Sequence, residues 1–520
     1  MNPVYDIAIV GSGFGGSLLA MIAKRLGRSV ILLERGVHPR VVIGESSTPL
    51  SNLLLEDLAD RYDLPALKPL AKWGSWQKNY PDLACGLKRG FSFFHHDGSD
   101  SRQRPSFADQ LLVAASPHNA IADTHWYRAD VDHFLLKQAI SLGVDYIDRL
   151  SLDRFTDIGD EVLLCGSRDG EQRNIRARFV VDAAGPGGFL HRILRLSDAG
   201  LPGYPGTQAL YSHFSGVRRL DTLPGYGFEE TPPYPIDAAA VHHVFDGGWV
   251  WVLRFNNGIT SAGVAATDAC AERLGLSQKE RGWQRLLAEI PSLGEQFAGA
   301  KAAQPFTYTS RLAFRSSQIT GRRWAMLPSA AGFVDPLLST GIPLTLLGVS
   351  RLAEVIERRW TADDLSPELC SYSASTEAEL LATSRLIASL YTTMGNFPAF
   401  RALSLLYFAA ASFSETVRRL GHPQAAPSFL LHDHPGFGAE CRGLVDRIQS
   451  AVPPCDASAI AEEVHRIIQP IDVAGLGKTP PNHWYPVRSE DLREAAWKVD
   501  ASQEQITVLL ERAGFNLAQT

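Results

Sequence analysis

The chain has 520 residues, of which 45% are hydrophobic and 20% are charged, and its formal net charge at pH 7 is −6. This length exceeds one typical core and predicts one large domain with additions, or two to three domains. The acidic balance, without a long basic run, argues against nucleic acid and anionic membrane surfaces as partners. The six cysteines are scattered without a CxxC pair, so we expect neither a disulfide framework nor a metal site.

The first 35 residues carry the pattern of a dinucleotide-binding βαβ unit. An apolar run ends at Gly11, a glycine-rich turn follows, and a second apolar run ends at Glu34, 23 positions after Gly11. The glycines permit a tight turn and a close approach to a pyrophosphate, and the acid suits the ribose hydroxyls of a dinucleotide. The predicted cofactor-binding residues of this unit are Gly11, Gly13, Phe14, Gly15, Gly16, Glu34 and Arg35. The alternative is a glycine-rich turn in some other α/β protein.

Two features of the chain bear on its location. The first strand begins almost at Met1, which leaves no room for a signal peptide and predicts a cytoplasmic protein. The longest nearly apolar run, residues 402–413, is shorter than the roughly 20 residues that span a bilayer. A buried helix is therefore expected there, and membrane association is not.

Further along the chain, the pattern alternates between strands and helices. We expect loops over 36–110, a helix over 130–139 capped by Asp130, and a strand meander over 145–181 that ends at Asp182. More strands are expected over 205–265, a short strand over 324–328, a helix from Ile342 to about 358, and mostly helices from 361 onward. Elements typical of a nucleotide site thus recur near residues 11, 182 and 335, with β segments between them. This interleaving predicts two intertwined lobes.

Three glycine motifs in this order resemble those of the FAD-dependent aromatic hydroxylase superfamily, and within it the chain is most similar to the flavin-dependent halogenases of the phenol and pyrrole type. The resemblance covers about residues 3–360. It implies an α/β fold: a glutathione-reductase-like FAD-binding domain over 1–360, with interleaved substrate-binding β-sheet segments over about 60–125 and 200–315. A mainly helical C-terminal region over 361–520 completes the expected architecture.

The same resemblance assigns further residues to the FAD site. Residues 44–48 are similar to a family segment that runs beside the flavin, Arg128 to an arginine that contacts FAD, and 182–188 to a turn on the adenosine side. Residues 328–341 form the most specific motif. Pro328 and Ser329 replace the Gly-Asp pair that is usual in hydroxylases, and the loss of that aspartate resembles the halogenase branch. The implied FAD contacts are Gly44, Glu45, Ser46, Ser47, Arg128, Asp182, Ala183, Gly185, Asp335, Gly341 and Ile342. Ordinary turns and a surface ion pair for Arg128 remain the alternatives.

Halogen chemistry is implied at four places. Thr340 and Gly341 match the turn that holds halide in the family, although the same N–H groups could contact only the flavin carbonyl. Lys88 is similar to the lysine that hydrogen-bonds hypohalous acid or carries the halogen, whereas a lysine at a strand end is ordinarily solvated. Trp249 and Trp251 match the first part of a WxWxIP motif on the substrate side, but Leu253 and Arg254 depart from it. Leu338 replaces the glutamate of tryptophan halogenases, which disfavours a free indole.

The resemblance therefore implies a halogenase that uses FAD as FADH2, with O2 and chloride or bromide. Halide attacks a flavin C4a-hydroperoxide, and hypohalous acid reaches an electron-rich phenol, pyrrole or indole that is free or bound to a carrier or peptide. A separate flavin reductase is expected, because the chain has no second dinucleotide fingerprint. The alternatives are an aromatic hydroxylase of the same fold, a reductase-type flavoprotein, and a flavoprotein without turnover.

Overall fold

The computed structural model describes residues 3–97, 106–224, 226, 230–360, 365–450, 456–478 and 483–516. The strands in these ranges are β1 (Val4–Val10), β2 (Val30–Leu33), β3 (Cys85–Lys88), β4 (Gly90–His95), β5 (Gln110–Ala114), β6 (Asp123–Trp126), β7 (Asp145–Ile147), β8 (Leu150–Asp157), β9 (Val162–Arg168), β10 (Glu171–Asp182), β11 (Thr207–Ser215), β12 (Ala240–Phe245), β13 (Gly248–Arg254), β14 (Ile259–Thr267), β15 (Lys301–Ala302), β16 (Thr307–Thr309), β17 (Phe314–Arg315), β18 (Thr320–Gly321), β19 (Trp324–Met326), β20 (Gly332–Phe333) and β21 (Trp484–Tyr485). The helices are α1 (Phe14–Arg25), α2 (Pro49–Arg61), α3 (Trp73–Asn79), α4 (Arg128–Ser141), α5 (Phe189–Ile193), α6 (Asp268–Leu274), α7 (Glu280–Glu289), α8 (Pro291–Gln296), α9 (Pro328–Ala331), α10 (Gly341–Arg359), α11 (Ser366–Thr393), α12 (Phe397–Arg419), α13 (Gly438–Ser450), α14 (Ala457–Ile468), α15 (Ser489–Glu494) and α16 (Gln503–Ala513).

The predicted nucleotide unit forms the centre of an eight-stranded sheet. Its main strand order is β18-β19-β10-β1-β2-β7, and β8 and β9 extend from β10 as an antiparallel meander. Strand β1 lies parallel to both β2 and β10, with Val10 opposite Leu33 on one side and Asp182 on the other. The carboxyl ends of these strands therefore meet at one edge, where ligands bind in open α/β sheets.

A nine-stranded sheet forms the second layer, with the main order β15-β11-β14-β13-β12-β4-β5-β21 and β16 paired to β11. Its pairs are antiparallel except β12 with β4 and β5 with β21. One face, which includes Trp249, Trp251 and Leu253, packs into the main core with the C-terminal helices. The other face, which includes Val250 and Val252, packs in a separate core with α6 and α7. The alternation of a β-strand thus divides β13 between two cores.

The C-terminal region is helical, as the pattern predicts, but it also supplies β21 to the edge of the nine-stranded sheet, parallel to β5. Its helix α12 is the one described helix that is long and apolar enough to cross a membrane, and 78% of its most apolar window is buried inside the protein. The burial is that of a core helix.

The structure confirms the predicted α/β class and its helical C-terminal region, and it corrects two local predictions. The segment 36–110, expected to be loops, contains α2, α3, β3 and β4. The prediction that Asp130 caps the helix that follows it is wrong: Tyr127 occupies the N-cap and Asp130 lies inside the first turn of α4. The Asp130 carboxylate accepts a hydrogen bond from the backbone N–H of Ala84 at 3.3 Å instead.

Candidate functional site

The glycine turn after β1 is shaped by contacts within the protein. Gly11 has a φ of +106°, and a Cβ on Gly16 would lie 2.0 Å from the Gly11 carbonyl oxygen. Both positions therefore require glycine for the fold itself. A Cβ on Gly15 would lie 2.8 Å from the Thr345 methyl group, so this glycine lets α1 and α10 approach each other.

The same turn is tied to the end of β2 through Glu34. The Glu34 carboxylate accepts hydrogen bonds from the Ser12 backbone N–H at 3.1 Å, the Ser12 hydroxyl at 2.9 Å and the Gly36 N–H at 2.8 Å. Burial raises the pKa of Glu34, but Arg40 and these N–H donors outweigh it and leave the pKa below its usual value. Glu34 is thus held as a carboxylate at the position expected for a ribose contact, whereas Arg35 beside it is exposed.

Gly13 has a different environment. Its backbone is extended, with φ −68° and ψ 179°, and the nearest protein atoms to a Cβ there would be 3.6 Å away, on Arg40, Arg128 and Asp132. Gly341 at the start of α10 is similar, with no atom within 4 Å of the place that a Cβ would occupy. The protein alone does not require glycine at either position. Free space beside two guanidinium groups and the N-terminus of α1 fits the pyrophosphate of a dinucleotide such as FAD.

Arg128 connects this turn to the segment 44–47. It pairs with Asp132 at 2.7 and 2.8 Å, donates to the Gly44 carbonyl at 2.9 Å, and lies 4.9 Å over the ring of Phe14. Nothing in this arrangement is a surface ion pair, because Arg128 is buried. The guanidinium instead fixes α4, the glycine turn and Gly44, whose φ is +91°, around one space.

In the segment 44–47, some side chains are hydrogen-bonded within the protein and one is left for the predicted site. The Glu45 carboxylate is buried and accepts a hydrogen bond from His213 at 2.7 Å, and the Ser47 hydroxyl donates to the Thr124 carbonyl at 2.8 Å. The Ser46 hydroxyl, which is also buried, has no partner in the described part of the chain. A missing polar partner at this position is a second observation that fits a bound cofactor.

Asp182, at the end of β10, serves the turn that follows it. Its carboxylate accepts from the N–H groups of Ala184 at 2.9 Å and Leu190 at 2.6 Å, and burial raises its pKa to about 6. Ala183 donates its N–H to the Val10 carbonyl at 2.7 Å, which joins this turn to the first one. Gly185 has a φ of +80° with no atom near its missing Cβ. These residues shape the edge of the predicted site through backbone geometry.

The turn before α10 has an unusual backbone. Leu338 and Ser339 are both left-handed, with φ values of 63° and 57°. Strained backbone of this kind persists at functional sites. Thr340 and Gly341 follow, and the first-turn N–H groups of α10 have no partner within the helix. The turn has the donors and the helix polarity of an anion site.

Asp335 holds this turn in place through hydrogen bonds. Its carboxylate accepts hydrogen bonds from the Leu337 N–H at 2.9 Å, the Tyr391 hydroxyl at 2.9 Å and the Tyr204 hydroxyl at 3.1 Å. Trp249 in turn donates its indole N–H to the Tyr391 hydroxyl at 3.2 Å. Burial raises the pKa of Asp335 to about 6. Its oxygens are thus used within the protein, where they couple the turn to β13 and α11.

Lys88 is fully buried at the end of β3. Its Nζ donates to the Ser47 carbonyl at 2.6 Å and to the Ser339 hydroxyl at 3.4 Å, and it lies 3.9 Å over the ring of Phe91. Burial lowers the pKa of Lys88, and the nearby carboxyl of Asp123 raises it only in part. Lys88 is therefore not a solvated surface lysine: it joins the segment 44–47 to the strained turn.

The predicted tryptophans share one face of β13. Trp249 and Trp251 have ring centroids 5.6 Å apart, and the indole N–H of Trp251 donates to Ser261 at 3.3 Å. Arg254, the departure from the expected motif, turns away and pairs with the buried Asp237 at 2.7 Å. The departure thus changes an ion pair on the other side of the sheet and leaves the tryptophan face intact.

A cavity of about 160 Å³ adjoins Lys88. Neighbours of Lys88 line one side, namely Thr48, Phe91 and Asp123, and the C-terminal region supplies most of the rest, including Tyr407, Phe408, Tyr485, Leu510 and Phe515. An apolar cavity of about 150 Å³ holds benzene. This one has the size and the aromatic lining for a single aromatic ring.

The structure thus brings the predicted residues together in three groups: the glycine turns with Glu34 and Arg128, the strained turn with Lys88, and the tryptophan face. Sequence reasoning misses several members. Arg40 gives no signal, and Asp123 and Asn52 lie far from Lys88 in the chain and meet it only through the pairing of β3 with β6 and the packing of α2. The sequence shows Tyr391 only as part of an apolar helix face.

Comparisons with known proteins concern the family and the fold. No family model matches the chain. It is 28% identical over 485 residues to monodechloroaminopyrrolnitrin halogenase PrnC of Pseudomonas fluorescens, covering 90% of this chain and 83% of the relative. It is 27% identical over 541 residues to tetracycline 7-halogenase of Kitasatospora aureofaciens, covering 97% and 95%. The crystal structure of halogenase PltM with phloroglucinol and FAD has the same fold, with a TM-score of 0.80, 24% identity, and coverage of 93% and 99%.

Proposed function

We propose that this chain is a flavin-dependent halogenase, like the relatives it resembles, and that it halogenates a single-ring, electron-rich aromatic such as a phenol or a pyrrole in the cavity beside Lys88. One observation carries the proposal: a fully buried lysine is held between the strained turn before α10 and a cavity of aromatic size. Burying a charged lysine costs folding stability, and a functional role explains why the chain keeps one there.

FAD is the cofactor of this family, and when bound in reduced form with O2 it supplies the oxidising equivalents that convert halide to hypohalous acid. The residues of this chain bind the cofactor and the halide, direct the oxidant to the substrate, and exclude water. Arg40, Arg128 and the N-terminus of α1 hold the pyrophosphate, and Glu34 holds the ribose. The N–H groups of Thr340 and Gly341 hold chloride or bromide.

Lys88 contacts Ser339 in the turn before α10, and its neighbours line the cavity, which supports a role on the path of hypohalous acid between the two. Its ammonium donates a hydrogen bond to the oxygen of that acid and keeps the halogen directed at the aromatic ring. The wall formed by Trp249, Trp251 and Leu253 excludes water and substrate from the cofactor side. Because all of these side chains are buried, a reactive oxidant is confined.

The relatives differ in substrate. Their names include monodechloroaminopyrrolnitrin, tetracycline, and a pyrrole attached to a peptidyl carrier protein. The cavity volume favours one ring over a tetracycle, and we propose a free aromatic as the first candidate and a carrier-bound one as the second. We further propose a separate flavin reductase as the source of reduced flavin, and a cytoplasmic location. The burial of α12 supports a helix that packs in the core and does not cross a membrane.

The test is aerobic incubation with FAD, a general flavin reductase, NADH and bromide, with a panel of phenols, pyrroles and indoles. Mass spectrometry should show the bromine isotope pair on a phenol or pyrrole, and omission of bromide should abolish that product. Addition of oxygen without halogen would support the hydroxylase alternative and overturn the proposal. Products on tetracyclic substrates alone would overturn the substrate assignment.

A further inference from the structure

One carboxyl group in the cavity wall has an unused oxygen. Asp123 is 3% exposed, and its Oδ1 accepts a hydrogen bond from the Asn52 amide at 2.6 Å. Its Oδ2 is buried and has no partner among the described residues, and the same is true of Asn52 Oδ1. Both residues line the cavity. Buried acceptors without donors are rare in folded proteins, so a donor is expected from the molecule that fills the cavity.

Asp123 and Lys88 are directly opposite each other in the antiparallel pair β3–β6. Opposite residues of such a pair point to the same face, so the two side chains share one side of the ribbon. Lys88 is the partner on the side of the strained turn, and Asp123 is the partner on the side of the cavity. A ring in the cavity therefore lies against Asp123 and next to Thr48 and Phe91, the neighbours of Lys88.

Burial shifts the pKa values of the pair in opposite directions, lowering that of Lys88 and raising that of Asp123. Burial raises the pKa of Asp123, and Lys88 lowers it only in part. From α12, Glu415 and Arg419 act on Asp123 in opposite directions, and the neutral Tyr407 hydroxyl faces it as well. From α2, only the uncharged Asn52 amide contacts it. A carboxylate whose pKa is raised by burial is a stronger base than a solvated one.

We propose that Asp123 is the general base that takes the O–H or N–H proton of the aromatic substrate while Lys88 directs the halogen. The inference rests on the proposed function and adds a second catalytic residue to it. It also gives this chain a carboxylate that acts from β6, in place of one in the turn before α10, where Leu338 stands.

The step balances without another reactant. For a phenol, Asp123 takes the O–H proton, the ring carbon attacks the halogen, and the halogen–oxygen bond breaks. The departing hydroxide takes a proton from the Lys88 ammonium and leaves as water. The ring C–H proton then passes to the neutral Lys88 amine, and Asp123 returns its proton to the oxygen. One aromatic C–H and one hypohalous acid give one carbon–halogen bond and one water.

The test compares two probes, resorcinol and 1,3-dimethoxybenzene, in wild type and in Asp123→Asn. The dimethyl ether has no proton for Asp123 to take. We expect Asp123→Asn to lower bromination of resorcinol by about 10²–10⁴-fold, the usual contribution of a positioned base. Bromination of the ether should fall much less, because the ether loses only the support that the Asp123 carboxylate gives to the Lys88 ammonium. The fall of the resorcinol rate at acidic pH should also be absent from Asp123→Asn, while FAD binding is retained.

Asp237→Asn is the matched control, because Asp237 is a buried carboxylate on the other side of the sheet. It should change the rates for both probes by the same factor. Should Asp123→Asn fail to fold, Asn52→Ser removes the amide that orients Asp123 and should show the same preference for the ether, to a smaller degree. Equal losses on both probes, or none, would overturn the role of Asp123 alone. A wild-type enzyme that brominates no phenol or pyrrole would overturn the proposed function instead.

Discussion

The free space at Gly13 makes a sharp prediction about cofactor binding. In Gly13→Val the new side chain occupies the place assigned to the pyrophosphate, while the backbone angles of φ −68° and ψ 179° are ordinary for valine. The nearest protein atoms, 3.6 Å from the Cβ, are the ends of two arginines and an aspartate. The free energy of unfolding of the apoprotein should therefore change by no more than about 1 kcal/mol.

The effect on FAD should be much larger. A displaced pyrophosphate loses at least two hydrogen bonds to charged groups, each worth about 1.5–3 kcal/mol. The dissociation constant of FAD should rise by roughly 10²–10⁴-fold, since each 1.4 kcal/mol is about a factor of ten. Titration of apoprotein with FAD, followed by flavin fluorescence, measures this change, and denaturant unfolding of the apoprotein measures the other.

Two further glycines serve as controls. Gly443 in α13 is also open, with 3.7 Å between its Cβ position and the nearest atom, so Gly443→Val should alter neither measurement appreciably. Gly16→Ala should damage folding itself, because its Cβ would overlap the Gly11 carbonyl oxygen. Unchanged FAD affinity in a folded Gly13→Val protein would refute the assignment of this space, and loss of folding in its apoprotein would refute the claim that the space is free.

Other predictions concern the remaining parts of the site. Lys88→Ala should still bind FAD and consume O2, but product halogenation should fall by about 10²–10⁴-fold. Lys88→Arg should not restore halogenation. Paired assays of O2 consumption and product formation test this, and wild-type halogenation by Lys88→Ala would contradict the role of Lys88. Glu45→Ala should lower the free energy of unfolding by about 1–3 kcal/mol, because it leaves buried His213 without its partner; denaturant titration tests this, and an unaltered midpoint would count against it. Folding raises the pKa of Asp335 from 3.8 to about 6, so between these pH values the folded protein is protonated at Asp335 and the unfolded chain is not. The free energy of unfolding should therefore fall by about 3 kcal/mol as the pH rises through this range. This fall should be missing from the pH profile of Asp335→Asn, and identical profiles in the two proteins would refute the prediction. A fragment of residues 1–360 lacks Tyr391 and the C-terminal wall of the cavity, so it should be insoluble or inactive; a soluble fragment with full turnover would oppose this.

What the sequence predicts well is what local pattern and short spacing determine. The unit β1-α1-β2, the strand that ends at Asp182 and the helix from Gly341 follow from apolar runs beside glycine turns, and each lies within a residue or two of its predicted position. The α/β class with a helical C-terminal region is likewise confirmed. The halide, flavin and substrate roles of the named residues stay predictions, because they depend on a bound cofactor.

What the sequence could not predict depends on long-range contacts. The resemblance assigns Glu45 to the cofactor, but its carboxylate is bound by His213, 168 positions away. Asp335 is similarly bound by Tyr204 and Tyr391. Local propensity also misleads at Asp130, where a good capping residue lies beyond the true start of α4. Only the pairing of β3 with β6 brings Asp123 to Lys88, and no local signal announces such a pair.

The parallel contact of β21 with β5 also bears on how the protein is made. Synthesis delivers the N-terminal residues first, so the glycine turns can fold long before Trp484 and Tyr485 leave the ribosome. Until then β5 presents an unpaired edge, and the apolar face of α12 lacks part of its cover; such edges pair readily with other chains. The strand that covers this edge, β21, is synthesised late. A nascent or prematurely terminated chain is therefore prone to aggregation.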